Sequence, residues 1–380
     1  MTLLIFGLIL SVLVLVHEFG HYIVAKKLGI KVEEFGLGIP PRLIGKRIGE
    51  TIYSLNLLPF GGFVRLEGED PEEVLENPQI ANDAHSFQMK SPLQRSLVLV
   101  AGVFMNMVLA ITIFYFVLGS TGFKTAYISM FFDYNFRFGK ENVVGSVITS
   151  LQEGSAAEKS KMEVGEAIVE INGEPVNNVQ DVRRILKGLE GKEVYVFLMD
   201  VRKENNNIRK VTAIPQKDSN GDAVLGVYLS KAVQIDYSNG INKYLAGFLH
   251  TYNVTDYSLK ALSEVVSLSL KNKTLEPVSE SVAGPVGMYN IVGSVLDYGG
   301  DRVVYTILDF VALMSASLAF MNIMPFPALD GGRLVFVIYE GITKRKVNPN
   351  IELNIHKIGF MVLLGLLVLI TIKDVLFSNL

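Results

Sequence analysis

The sequence predicts a multi-pass α-helical membrane protein: four transmembrane helices, a membrane-associated β-hairpin or small sheet, and an inserted soluble α/β module. Three observations carry this reading. The chain of 380 residues is 49% hydrophobic and only 19% charged, with a mean hydropathy of +0.35, whereas soluble proteins average about 25% charged residues. Of four apolar runs, the first, second and fourth approach or exceed the length that crosses ~30 Å of hydrocarbon, and the third is weaker, interrupted by Asp309 and ended by Pro325 and Pro327. Between the second and third of them the composition changes to that of a water-soluble α/β fold.

The first run occupies residues 1–27. Met1 to Val16 carries no charge and is rich in Leu, Ile and Val. No basic segment precedes it and no small-x-small cleavage site follows, so a retained span fits better than a signal peptide. Its inner end reads His17-Glu18-Phe19-Gly20-His21, an H-E-x-x-H pattern. Helical positions four apart share a face, so the two imidazoles point the same way. Such a pair suits Zn²⁺, and the Glu between them suits a general base acting on water. Ionisable groups at this depth are costly, which favours a functional reading.

Residues 28–92 read as a cytoplasmic, membrane-reentrant β-loop region. Val32 to Gly38 and Ile52 to Leu66 alternate loosely, with Gly and Pro at the breaks, and predict short strands. Phe35, Leu37, Leu57, Leu58, Phe60 and Phe63 make this loop apolar, so it should dip toward the membrane. A sheet there could take an extended peptide as an added strand. The second span covers 93–119, with Gly102, Asn106 and Ala110 spaced by four. Small residues at that spacing let helices approach closely, and Asn106 must find a hydrogen-bonding partner, either in packing or on a substrate.

Residues 141–233 form the inserted module. Val143 to Thr149 reads as a strand, Ser155 to Lys161 as a short helix, and 164–176 as strand, Asn-Gly turn, strand. Asn178 should start a helix over Val179 to Lys187, and a hairpin should close across Glu204-Asn205-Asn206-Asn207. Residues 240–300 predict an amphipathic helix, Ile241 to Leu270, lying on the membrane surface. A connecting loop follows, with Ala283 to Gly287 as a turn. The third span and its motif cover 303–333, and the fourth span 356–377.

Lys and Arg concentrate in the loop between the first two spans and in the loop between the last two. The positive-inside rule makes both cytoplasmic, so the N-terminus and the 141–233 module should lie outside and the His pair near the cytoplasmic side. The chain has no Cys, which excludes disulfides, thiol catalysis and Cys-ligated metal. Its net charge of −3 gives no reason to expect nucleic acid. A catalytic zinc usually has three protein ligands plus water, so the third must be His, Asp or Glu. Asp330 is the best candidate, because it follows the third span at the depth of the His pair and is flanked by Pro325, Pro327, Gly331 and Gly332. His85, His250 and His356 are not expected to be ligands.

Two resemblances add to this. The Gly-Glu-Ala-Ile-Val-Glu-Ile-Asn-Gly-Glu-Pro-Val stretch at 165–176 resembles a PDZ domain of the bacterial protease type, which implies a peptide-binding groove between the first strand and the 179–187 helix. Taken whole, the sequence resembles the site-2 protease family of intramembrane zinc metalloproteases, in its bacterial regulator-of-sigma-E protease branch. His17 to His21 matches that family's first motif, Asn322 to Gly331 its N-x-x-P-x-P-x-L-D-G motif, and Pro59 to Val64 its reentrant β-loop. The resemblance implies Zn²⁺ held by His17, His21 and Asp330, with Glu18 catalytic and Asn322, Asn106, Gly61 and Gly62 binding substrate. It also implies an inner (cytoplasmic) membrane location. The expected partners are the lipid bilayer, single-pass membrane protein substrates such as anti-sigma factors or signal-peptide remnants, and peptide C-termini at the PDZ groove. Only one PDZ-like module is present, and no Pro follows Gly102, where relatives often have one.

Overall fold

The computed structural model describes every residue except 131, 133, 202–206, 219–220, 275, 299 and 378–380. From the N-terminus run α1 (Thr2–Lys27), β1 (Val32–Ile48), β2 (Thr51–Leu66), α2 (Pro71–Glu76) and α3 (Pro92–Ser120). The middle of the chain holds β3 (Ile128–Met130), β4 (Lys140–Leu151), α4 (Ala156–Lys159), β5 (Glu166–Ile171), β6 (Glu174–Pro175) and α5 (Val179–Leu186). It continues with β7 (Val194–Asp200), β8 (Ile208–Ala213), β9 (Gln216–Lys217), β10 (Ala223–Val224) and β11 (Val227–Asp236). Helices complete the chain: α6 (Ala246–Asn272), α7 (Glu276–Ser281), α8 (Pro285–Tyr298), α9 (Val303–Ile323), α10 (Asp330–Thr343) and α11 (Pro349–Phe377). Among the described residues α1, α3, α9 and α11 are long and apolar enough to cross a membrane, and they coincide with the four apolar runs.

Two compact units make up the chain. One contains Met1–Ile113, Val265–Ser294 and Asp309–Leu380; the other contains Phe114–Glu264 and Val295–Leu308. In the first unit the β-region is more extensive than the short strands expected from the sequence. Residues 34–37 of β1 pair with both 52–55 and 62–65 of β2, while 42–48 pair with 51–56. Two long strands therefore fold back on each other into four arms, in the order 42–48, 51–56, 34–39, 62–66; the outer pairings, 42–48 with 51–56 and 34–37 with 62–65, are antiparallel, while 34–37 and 52–55 run in the same direction. The Gly and Pro residues between arms bend the strands without ending them. Gly61 supplies a left-handed turn at φ +77°, and a Cβ on Gly62 would lie 2.9 Å from the Gly36 carbonyl oxygen. The 62–66 arm runs along α1, with Gly61 beside Val14 and Gly62 beside Leu15. Ala25, Ile30, Val32, Leu66, Phe87, Val98, Leu99 and Val337 form one buried cluster, which fixes α1, both strands, α3 and α10 together.

The chain does not simply run out of α9 at the 322–331 motif. After Ile323 a tight turn leads into a new helix, α10, whose first residue is Asp330. Ala328 sits at φ +75°, and its amide donates to Nδ1 of His356 on α11 at 2.8 Å. A Cβ on Gly331 or Gly332 would collide with the carbonyl groups of Met324 and Phe326, so only glycine lets α10 fold back so closely. A second difference concerns residues 283–298, expected as a turn and loop. Pro285 begins a helix there, and Oδ2 of Asp374 on α11 accepts from the amides of Gly284 and Gly287, both at 2.8 Å. That carboxylate satisfies helix N-terminal donors, a role that no local sequence signal announces.

The second unit is built on a sheet of order β3-β11-β4-β5-β7-β8, with β6 on β5. Ser155 and Asn178 cap α4 and α5 through their side chains, accepting from Glu158 and Asp181, as their positions predict. The expected β7–β8 pairing is present, although residues 202–206 of its turn lie outside the described residues. Ile148, Ile168, Ile171, Leu186, Val194, Val196 and Leu198 are the centre of its core. The groove expected between the first strand and the 179–187 helix is elsewhere. β4 lies inside the sheet, paired with β11 along its length and with β5 at Ser146 and Val147. A cavity of about 340 Å³ instead lies between α5 and residues 223–229. β3 pairs with β11 at 231–233, so among the described residues no strand lies on that side of Val227–Leu229, the edge beside α5.

Candidate metal centre and its cleft

Two turns of α1 bring His17 and His21 to one face, and both are about 6% exposed. Asp330 reaches the same point from the first turn of α10. Nε2 of His17 lies 2.9 Å from Asp330 Oδ2, Nε2 of His21 lies 3.3 Å from it, and the two Nε2 atoms are 3.2 Å apart. Tetrahedral ligands about 2.0–2.1 Å from a zinc ion are separated by about 3.3 Å, so this triangle has nearly the required edges. These residues are the group of His and acidic side chains, among those described, that could hold a metal ion. His85 and His250 stand apart, His85 exposed beside the Gly29 carbonyl and His250 against Tyr237 in the second unit.

The chemistry of the donor set fits zinc. Nδ1 of His21 donates to the Val98 carbonyl oxygen at 2.8 Å. The proton is therefore on Nδ1, and the Nε2 lone pair points at Asp330, as metal ligation requires. Three electron-pair donors thus converge inside an apolar bundle, an arrangement that is costly unless a cation sits among them. One turn along α10, the Arg333 guanidinium pairs with Glu69. That ion pair anchors the start of the acidic 69–76 segment beside the site.

Glu18 lines a cavity of about 650 Å³ together with His21, Asp330 and residues 63–66 of β2. Its Oε2 accepts from the Val64 amide at 3.0 Å. The cleft's far side is acidic, with Glu69, Asp70, Glu72, Glu73 and Glu76. Asn322, near the end of α9, places its side-chain nitrogen 3.4 Å from His17 Nε2, at the rim of the same centre. Asn106 is placed differently from the substrate-facing expectation: it is fully buried on α3, with Nδ2 3.3 Å from Nδ1 of His17, on the side of the ring away from Asp330. Gly61 and Gly62 lie on the β2 bend against α1, where the fold itself requires glycine.

The sequence reading missed Val64 and Val98, whose contributions are backbone groups, and His356, which holds the turn before Asp330. For His356 one signal was available: an ionisable residue at the start of the fourth apolar run. The α10 helix was also signalled, since Asp330 precedes an amphipathic run from Leu334 to Ile342 and an Asp in a first helical turn is favourable.

Comparison with known proteins settles the family. The family model described as Peptidase family M50 matches residues 5–366. The chain belongs to peptidase family M50. A protein of Clostridium perfringens, provisionally named a zinc metalloprotease, is 35% identical over 98% of both chains. A Fusobacterium nucleatum protein with the same provisional name is 31% identical over 99% of this chain and 98% of its own. The zinc metalloprotease RasP of Shouchella clausii is 28% identical over 98% of both. M50 membership makes this a metalloprotease of the site-2 protease type, and the relatives imply zinc as its metal.

Between the two imidazoles stands Gly102 of α3. A Cβ there would lie 2.5 Å from His21 Nε2 and 2.8 Å from His17 Nε2. Gly102→Ala should therefore push both rings aside and weaken zinc binding at least ~10-fold, measured by chelator competition on the purified protein. Asp330→Ala removes the only acid in the triangle and should lower zinc content in the same assay. Unchanged zinc in the Asp330 variant would reject its assignment as a ligand.

Proposed function

We propose that this M50 protein hydrolyses peptide bonds in the transmembrane segments of single-pass membrane proteins, as a step of regulated intramembrane proteolysis. One observation carries the reading: two His Nε2 atoms and a carboxylate converge beside Glu18 at the end of a helix apolar enough to cross a membrane. A zinc ion held by His17, His21 and Asp330 would polarise the scissile carbonyl and lower the pKa of water. Glu18 takes the proton of the attacking water and passes it to the leaving amine. Asn322, at the rim, donates a hydrogen bond to the substrate carbonyl as charge develops there.

A helical substrate hides its carbonyls in its own hydrogen bonds, so the segment must unwind before attack. The 62–66 arm passes Glu18, and an extended peptide lying along the β-region would bring its backbone into the cleft. Gly61 and Gly62 leave that bend without side chains. The distribution of Lys and Arg supports an inner-membrane orientation with the metal centre near the cytoplasmic face and the second unit outside. The second unit is read as a PDZ domain, with peptide C-termini taken between α5 and the open Val227–Leu229 edge. Anti-sigma factors and signal-peptide remnants fit as substrates, being single spans with a cytoplasmic end.

The decisive variant is Glu18→Gln, which preserves shape and the contact with Val64 but cannot carry the proton. Reconstituted in vesicles with a single-span substrate, it should keep zinc and lose cleavage by ~10²–10⁴-fold. Undiminished hydrolysis would refute the proposed mechanism.

A further inference from the structure

The α3 helix faces the metal centre with three positions spaced by four: Val98, Gly102 and Asn106. These meet His21 and His17, themselves four apart, in antiparallel order. The Val98 carbonyl oxygen accepts a hydrogen bond from Nδ1–H of His21, Gly102 leaves room for both rings, and Asn106 stands against Nδ1 of His17. The His17–Asn106 contact is chemically incomplete as it stands. When Nε2 of a neutral imidazole offers its lone pair to a metal, the proton is on Nδ1. Nδ1–H would then face the NH₂ of Asn106, two donors 3.3 Å apart. Meanwhile Oδ1 of Asn106 is buried with no hydrogen-bond partner.

A half-turn of the amide, which leaves its volume unchanged, resolves the conflict. It sets Oδ1 against Nδ1–H. The Asn106 main chain is already fixed, since its carbonyl oxygen accepts from Ser315 Oγ on α9 at 2.8 Å, so the side chain pivots on a held backbone. We infer that Asn106 is the positioning residue for His17: its amide oxygen accepts the Nδ1 proton, as the Val98 carbonyl does for His21, and α3 thereby sets the tautomer of both metal ligands. A partner on the far nitrogen fixes ring orientation and raises the basicity of the ligating one, and its loss costs about 10–100-fold in metal affinity. Asn106 therefore acts through His17 and touches no substrate.

This inference rests on the His17–His21–Asp330 metal site, and the test separates the two. Zinc affinity of the purified protein is measured by chelator competition for wild type, Asn106→Leu and Asn106→Asp. The leucine keeps the volume and removes the acceptor; the aspartate restores an acceptor. The expected result is a ~10–100-fold weaker affinity for Asn106→Leu and an affinity within a few-fold of wild type for Asn106→Asp. Equal affinity in wild type and Asn106→Leu would overturn the positioning role while leaving the metal site intact. A wild-type protein that binds no zinc would instead remove the metal site itself. Should the aspartate variant fail to fold, ¹⁵N-histidine NMR of the zinc-loaded wild type decides. A slowly exchanging proton on His17 Nδ1 supports the inference, and its absence or rapid exchange overturns it.

Discussion

Two imidazole nitrogens and one carboxylate oxygen face a single point within a bundle of apolar helices, and the first unit is arranged around that convergence. Placing a carboxylate and two polar rings away from water is expensive. The cost is offset only if a cation joins them and if the outward nitrogens of both rings have partners. Each neighbouring element can be read as meeting part of that requirement. The α1 helix supplies the His pair at helical spacing, α10 supplies the carboxylate from its first turn, and α3 approaches closely enough to touch both rings because position 102 carries no side chain. The turn before Asp330 is in turn held by the imidazole of His356 and by glycines at 331 and 332.

The β-region extends this logic from binding to reaction. Its 62–66 arm is pressed along α1, and the Val64 amide meets the Glu18 carboxylate. The proposed base is thus in contact with the same strand that is proposed to guide an extended substrate. On the other wall of the cleft, the Arg333–Glu69 pair ties the acidic 69–76 segment to the helix that bears Asp330. The proposed substrate path and the candidate metal ligands are therefore fixed to shared elements, so a displacement of α10 or of β2 would disturb both.

Much of this was legible in the sequence. The four apolar runs became four long helices because hydrophobic length is a direct physical requirement of a span. His17, Glu18 and His21 stand out by spacing alone and Asp330 by the lack of Cys and by depth, and the structure brings His17, His21 and Asp330 together. Asn178 caps the helix it precedes, as its position predicts. What could not be read depended on tertiary pairing. The four-armed sheet arises because Gly- and Pro-containing strands bend and pair twice, which their alternation does not reveal. The open groove edge is on β11 rather than β4, because sheet order decides which strand is free. Backbone partners such as the Val98 carbonyl and the Val64 amide have no sequence signature, since every residue carries the same groups. Asn106 was visible as a polar residue in a span, but only its burial behind His17 shows which side of the centre it serves.

If two imidazoles and one carboxylate hold the metal, zinc-edge X-ray absorption on the purified protein should show it. One zinc per chain is expected, with a mixed nitrogen and oxygen shell at about 2.0–2.1 Å and the multiple-scattering pattern of two imidazoles. A shell with three or more imidazoles, or zinc that remains after His17 and His21 are both replaced, would contradict it.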